Sequence, residues 1–167
     1  AGGAFSFTVQ CANGVSPNAT QAVNMNVNQS PTITSAAPPN GSLSVVYSHS
    51  FTATGFPATF TWTVSAGTLP AGLSLAASTG VLSGTPTAIG ASTFTVSCSN
   101  GINPAGTQNV NMSVTQGPAI TSGAPASAVV GVVYTHNFTA SGFPATYTWT
   151  VTAGTLPAGL SLAASTG

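Results

Sequence analysis

Among its 167 residues the sequence holds no lysine, arginine, aspartate or glutamate, where an ordinary soluble chain has about one charged residue in four. Each absence excludes something. Without cations there is nothing to neutralise phosphates, so nucleic-acid binding loses its main driving force. Without carboxylates there is no paired general acid and base, no hard-oxygen cage for calcium, and no acid to orient a histidine for a serine nucleophile. Missing lysine also excludes an internal Lys–Asn isopeptide bond. No apolar run approaches the roughly 20 residues that span a bilayer, so no membrane span is expected. No basic segment followed by an apolar core marks a signal peptide, but an exported protein sheds its signal and the absence decides little. The chain is not expected to be an enzyme, and no catalytic residue, cofactor or metal site is expected in it.

What remains is apolar or neutral polar. Serine, threonine, asparagine and glutamine dominate the polar set, which suits an exported surface. Candidate N-glycosylation acceptors of the N-x-S/T type start at Asn18, Asn28, Asn40, Asn111 and Asn137, and glycans are an expected partner if these are used. Disorder is excluded by the regular alternation of β-branched and aromatic residues with polar ones.

The pattern also repeats. Gly55 to Gly80 reads GFPATFTWTVSAGTLPAGLSLAASTG and returns at Gly142 to Gly167 with two changes, Phe60 to Tyr147 and Ser65 to Thr152. Trp62 and Trp149 set the spacing at 87 residues, and residues 1–29 match 88–116 at the same offset. Three segments follow: 1–29 as the C-terminal part of one repeat, 30–116 as a complete repeat, and 117–167 as the N-terminal part of a further one. The seven residues Val81–Thr87, VLSGTPT, occur once. Seven such residues between Gly167 and the Ala1 of a following copy would keep the array in phase. The third segment is thus completed by another chain or by the continuing chain.

Within a repeat the periodicity is that of strands. Phe60, Trp62 and Val64 alternate with polar residues in Thr59–Ser65. Val45–Thr54 sets Tyr47, His49, Phe51 and Ala53 on one face. Thr93–Ser99 turns Phe94, Val96 and Cys98 inward, and Gln108–Thr115 does so with Val110, Met112 and Val114. Shorter strands are expected at Thr32–Ser35, Leu73–Ala76 and Val81–Gly84, with Pro- and Gly-rich turns between them. About seven short strands per repeat with no helical period predict an all-β fold of tandem Greek-key sandwiches.

The stretch LPAGLSLAASTGVLSGTPTAIGASTFTV, Leu69 to Val96, closely resembles the immunoglobulin-like (cadherin-like) repeats found in tandem on bacterial and archaeal surface proteins. The family's pattern of LPxGLxL, STGxxSGTP, a glycine and an F-T-V strand is met at Leu69, Pro70, Gly72, Leu73, Leu75, Ser78, Thr79, Gly80, Ser83, Gly84, Thr85, Pro86, Gly90 and Phe94. The resemblance covers essentially the whole chain. It implies immunoglobulin-like sandwiches, an extracellular or cell-surface place, and a role as spacer or adhesin stalk, with fixed positions that are architectural. The missing charge is where this chain departs from the pattern, since a calcium-stiffened junction needs carboxylates.

Few residues are left for chemistry. His49 and His136 are one position seen twice, expected as packed, hydrogen-bonded side chains. Cys11 and Cys98 are also equivalent, one per repeat, so a disulfide inside a repeat is excluded and a small core residue is expected, with pairing between neighbouring chains as the alternative. Trp62 and Trp149 are in phase with the core rather than placed as sugar platforms. Uncharged, Asn-rich edges (Asn24, Asn26 and Asn28; Asn109 and Asn111) lack the usual defence against strand pairing, and near-zero net charge favours self-association. The expected function is structural: a surface filament, stalk or adhesin fibre built end to end from copies of this chain or as a tandem array. Phe7, Val9, Val23, Met25 and Val27 would form the inter-subunit strand pairing. The alternatives are a carbohydrate-binding or spacer module of a secreted enzyme and a virion decoration domain.

Overall fold

The computed structural model describes all residues from Ala1 to Gly167 and contains only strands, turns and loops. The chain opens with a hairpin of β1 (Gly3–Cys11) and β2 (Ala19–Val27), paired in register from Gly3–Val27 to Cys11–Ala19. Nine strands follow: β3 (Gln29–Ile33), β4 (Gly41–Ser42), β5 (Tyr47–Ser50), β6 (Ala53–Phe56), β7 (Thr61–Gly67), β8 (Leu73–Leu75), β9 (Val81–Gly84), β10 (Gly90–Ser99) and β11 (Gly106–Ile120). The last strand is β12 (Ala140–Phe143).

The period-2 pattern decides which side of each strand is buried. In β10 Phe94, Val96 and Cys98 lie inside, with threonines and serines between them. In β11 Val110, Met112 and Val114 do the same, with asparagines outward. β10 sits between β7 and β11, antiparallel to both, and β4 runs parallel along the far edge of β11. A second sheet places β9 between β5 and β8. Tyr47, Leu73 and Leu82 from that sheet, with Phe51 just beyond β5, meet Trp62, Phe94, Val96, Cys98, Val110 and Met112 in one hydrophobic cluster. This is a β-sandwich, and the array is all-β as the alternation predicted.

The LPAGL…STG…GTP run builds one end of that sandwich. Leu73 N–H donates to Pro70 O, Thr87 N–H to Ala71 O, and Gly80 N–H to Ala76 O. Gly80 takes φ +70, and a Cβ there would meet Trp62 Cε2 at 2.7 Å. Only glycine lets the indole lie flat on this turn.

Three expectations need correction. Val45–Thr54 is not one strand: Phe51 N–H donates to Gly80 O, while Thr52 O accepts from Thr34 N–H. The chain therefore leaves β9 as β5 and joins β3 as β6, a hand-over between two sheets that alternation alone does not reveal. β4 is too short to show a period and was not anticipated. His49 is packed edge-on against Phe51, with ring centroids 4.9 Å apart, but its Nε2 is buried with no hydrogen-bond partner, and so is that of His136.

Candidate functional site

All 17 buried residues lie between Pro31 and Val114. Neither the hairpin before this span nor residues 117–167 after it contributes one. The contrast is sharpest at positions related by 87 residues. Phe94, Val96, Val110, Met112 and Val114 are 0–2% exposed, whereas Phe7, Val9, Met25 and Val27 are 41–51% exposed and Val23 is half-buried. Cys98 is buried; Cys11 is exposed. So β1 and β2 form a strand pair with the apolar face of a sandwich half and nothing packed on it.

Residues 117–167 repeat the contacts of the closed sandwich's first part. His136 and Phe138 stack at 4.8 Å and 79°, and Phe138 and Trp149 at 5.8 Å and 31°, which repeats His49–Phe51 (4.9 Å, 81°) and Phe51–Trp62 (6.0 Å, 31°). Trp149 N–H donates to Ala164 O at 2.9 Å, as Trp62 N–H does to Ala77 O. Tyr134 Oη donates to Ala126 O at 2.9 Å, as Tyr47 Oη does to Pro39 O at 2.8 Å. The loops are formed, but the segment around Trp149 has no strand partner and is not a strand, although its counterpart β7 is. A β-strand exists only through its neighbour.

Between the Tyr134–Phe138 and Leu156–Leu162 segments opens a cleft of about 470 Å³. Its walls include Tyr134, His136, Phe138, Leu156, Leu160 and Leu162. At the counterpart positions of the closed sandwich β9 lies between β5 and β8 and inserts Leu82, which is wholly buried. The cleft lies at the place that β9 takes in the closed sandwich.

The candidate glycosylation sites Asn18, Asn28, Asn40, Asn111 and Asn137 are all exposed. Asn40 Oδ1 accepts from Ser113 N–H at 2.8 Å and Asn111 Oδ1 from Thr93 Oγ1 at 2.9 Å. Trp62 is 4% exposed, and Trp149 is half-buried. No group of three or more His, Cys, Asp or Glu side chains converges on a point where a metal could sit.

What sequence reading missed is a loop contact. Asn100, just past β10, donates through Nδ2 to Gln29 O and to Pro57 O, both at 2.9 Å, while its Oδ1 accepts from Ile102 N–H at 3.2 Å. It ties the end of β10 to β3 and to the turn before β7. A Cβ on Gly55 would lie 3.1 Å from Asn100 Nδ2, so that glycine makes room for the amide. The signal was the Asn100-Gly101 pair recurring as Asn13-Gly14.

A family model described as "Putative Ig domain" matches residues 15–115 and again 116–167. The chain belongs to this immunoglobulin-like family. No curated protein matches it. Among solved structures, the protocadherin gammaB4 extracellular domain aligns over 98% of this chain and 33% of its own, at 16% identity and a TM-score of 0.52. Two proteins of Bacteroides fragilis described as putative alpha-galactosidases align over 52% of this chain at 23% and 20% identity, with TM-scores of 0.46 and 0.45. This chain spans 18% of each of those two. The protocadherin likeness is one of fold: successive immunoglobulin-like sandwiches.

Proposed function

We propose that the chain is an extracellular structural protein whose tandem immunoglobulin-like sandwiches join end to end into a surface filament, stalk or adhesin fibre. In this reading residues 1–29 close one sandwich, 30–116 form a complete one, and 117–167 open another, which a second chain or the continuing chain completes. The observation that carries it is the exposure of Phe7, Val9, Met25 and Val27 beside the burial of their counterparts Phe94, Val96, Met112 and Val114. A face built for a core and left in water is unstable with respect to covering it.

A surface location draws support from the family and from the fold shared with an extracellular cadherin array. The five exposed Asn-x-Ser/Thr sites are compatible with glycans. The carbohydrate-binding alternative needs an accessible aromatic platform, and Trp62 lies under Gly80 instead.

Electron microscopy of the native material, with its mass under denaturing conditions, tests the proposal. Filaments are expected. If they dissociate into chains of about this size, separate subunits complete each other, and one much longer chain would mean a continuous array. Discrete small particles would contradict the fibre reading.

A further inference from the structure

We infer that the β1–β2 hairpin of one copy docks on the 117–167 half-sandwich of a second copy, and that Asn13 is the latch of that joint. The inference rests on the end-to-end reading above and names the partner, the register and the fastening residue.

The latch follows from two loops of the same design. Asn13 Oδ1 accepts from Val15 N–H at 3.1 Å, the turn that Asn100 makes with Ile102. In the closed sandwich the Nδ2 of Asn100 then reaches Gln29 O and Pro57 O. The Nδ2 of Asn13 donates to nothing in its own chain. The residues at the counterpart positions, Gln116 and Pro144, border a hollow of about 320 Å³ lined also by Gly117, Pro118, Phe143 and Tyr147. Gly142 stands there as Gly55 stands beside Asn100. The atoms nearest a Cβ on Gly142 would be backbone atoms of residues 116–118, whereas for Gly55 the Asn100 amide nitrogen is among the nearest. A preformed pin on one end and an empty socket on the other are separated in this chain and fit between two copies.

The register is set by the closed sandwich, where Val96 opposes Val64 and Cys98 opposes Trp62 across β10 and β7. Shifted by 87 residues, Val9 of one copy opposes Val151 of the next, and Cys11 opposes Trp149. Docking then turns the segment around Trp149 into a strand, covers Phe7 and Val23, and buries the Cys11 thiol as Cys98 is buried. The hairpin already holds its docked shape, so the ordering that opposes association is confined to the segment around Trp149.

The joint is tested by sedimentation velocity of the whole chain over a range of concentrations, with alkylation of Cys11 followed in parallel and buried Cys98 as internal reference. Association that grows with concentration, together with loss of Cys11 labelling, is the expected result. Asn13→Ala should weaken association about tenfold, the effect of two lost hydrogen bonds. Val9→Asp, on a face exposed in the free chain, should abolish it while Cys98 stays protected. Asn100→Ala should leave association unchanged. Association with Cys11 labelled throughout would overturn the joint but leave end-to-end assembly standing through other edges. A monomer with Cys11 protected would mean that the hairpin folds back on its own chain, and a monomer with Cys11 reactive would mean no docking; either overturns the inference. Association unaffected by Asn13→Ala would remove the latch.

Discussion

Phe94 and Phe7 are the same residue in the same repeat position, yet one is 1% exposed and the other 47%. What a side chain contributes here depends on whether the opposite half of its sandwich is present. Phe94→Ala should destabilise the closed sandwich by about 3–5 kcal/mol, through lost burial and the cavity left behind. Phe7→Ala in the unassembled chain should change it by less than about 0.5 kcal/mol, as at an ordinary surface site. Urea unfolding of the two variants followed by Trp fluorescence measures both. Equal effects would mean that the hairpin face is already packed in the free chain.

At the scale of elements, Asn100 staples three pieces of structure: the end of β10, strand β3 and the turn entering β7. Asn100→Ala should lower the stability of the closed sandwich by about 1–3 kcal/mol, since two carbonyls lose their donor. Chemical denaturation would show this as a lower midpoint at unchanged slope. The strands that sequence alone made legible are those with an uninterrupted period, β7, β10 and β11, because alternation is the direct trace of a half-buried strand. The hand-over at Phe51–Thr52 was not legible: a strand that changes sheets keeps the same inward face and so the same pattern. β4 has only Gly41 and Ser42, too few for any period. Of the assembly faces, Phe7, Val9, Val23, Met25 and Val27 could be named from the repeat offset. The Asn13 loop could not, because its meaning appears only when Asn100 is seen bonded across the fold. β11 runs 15 residues and pairs with β10 in its first part and with β12 in its last, so one strand serves two successive repeats without a linker.

For the whole molecule, the absence of charge sets the pH response. Acid unfolding mostly comes from carboxylates that must be protonated, and no side chain here is one. The alkaline side is different. Burial pushes the Tyr47 phenol and the Cys98 thiol above their ordinary values of 10.0 and 9.0. A raised folded value means that the unfolded chain ionises first, so this stability is fully present below about pH 9 and is lost as pH rises through the raised values. Circular dichroism should therefore show β-structure retained at about pH 2 and destabilisation setting in above about pH 9. Loss of the fold in acid would contradict the account. The same neutrality leaves apolar faces and amide-rich edges without charge repulsion to hold copies apart, which favours the assembled state.

The central claim is that the hairpin and residues 117–167 belong to one sandwich, joined in the native material. Amide hydrogen exchange on that assembled material tests it most directly, because protection reports whether a strand has neighbours on both edges. The account predicts that Ser6, Thr8 and Gln10 exchange as slowly as Thr93, Thr95 and Ser97, whose backbone groups face β7, and that Thr148 and Thr150 match Thr61 and Thr63. Fast exchange along β1 and around Trp149, with β10 and β7 protected, would contradict it.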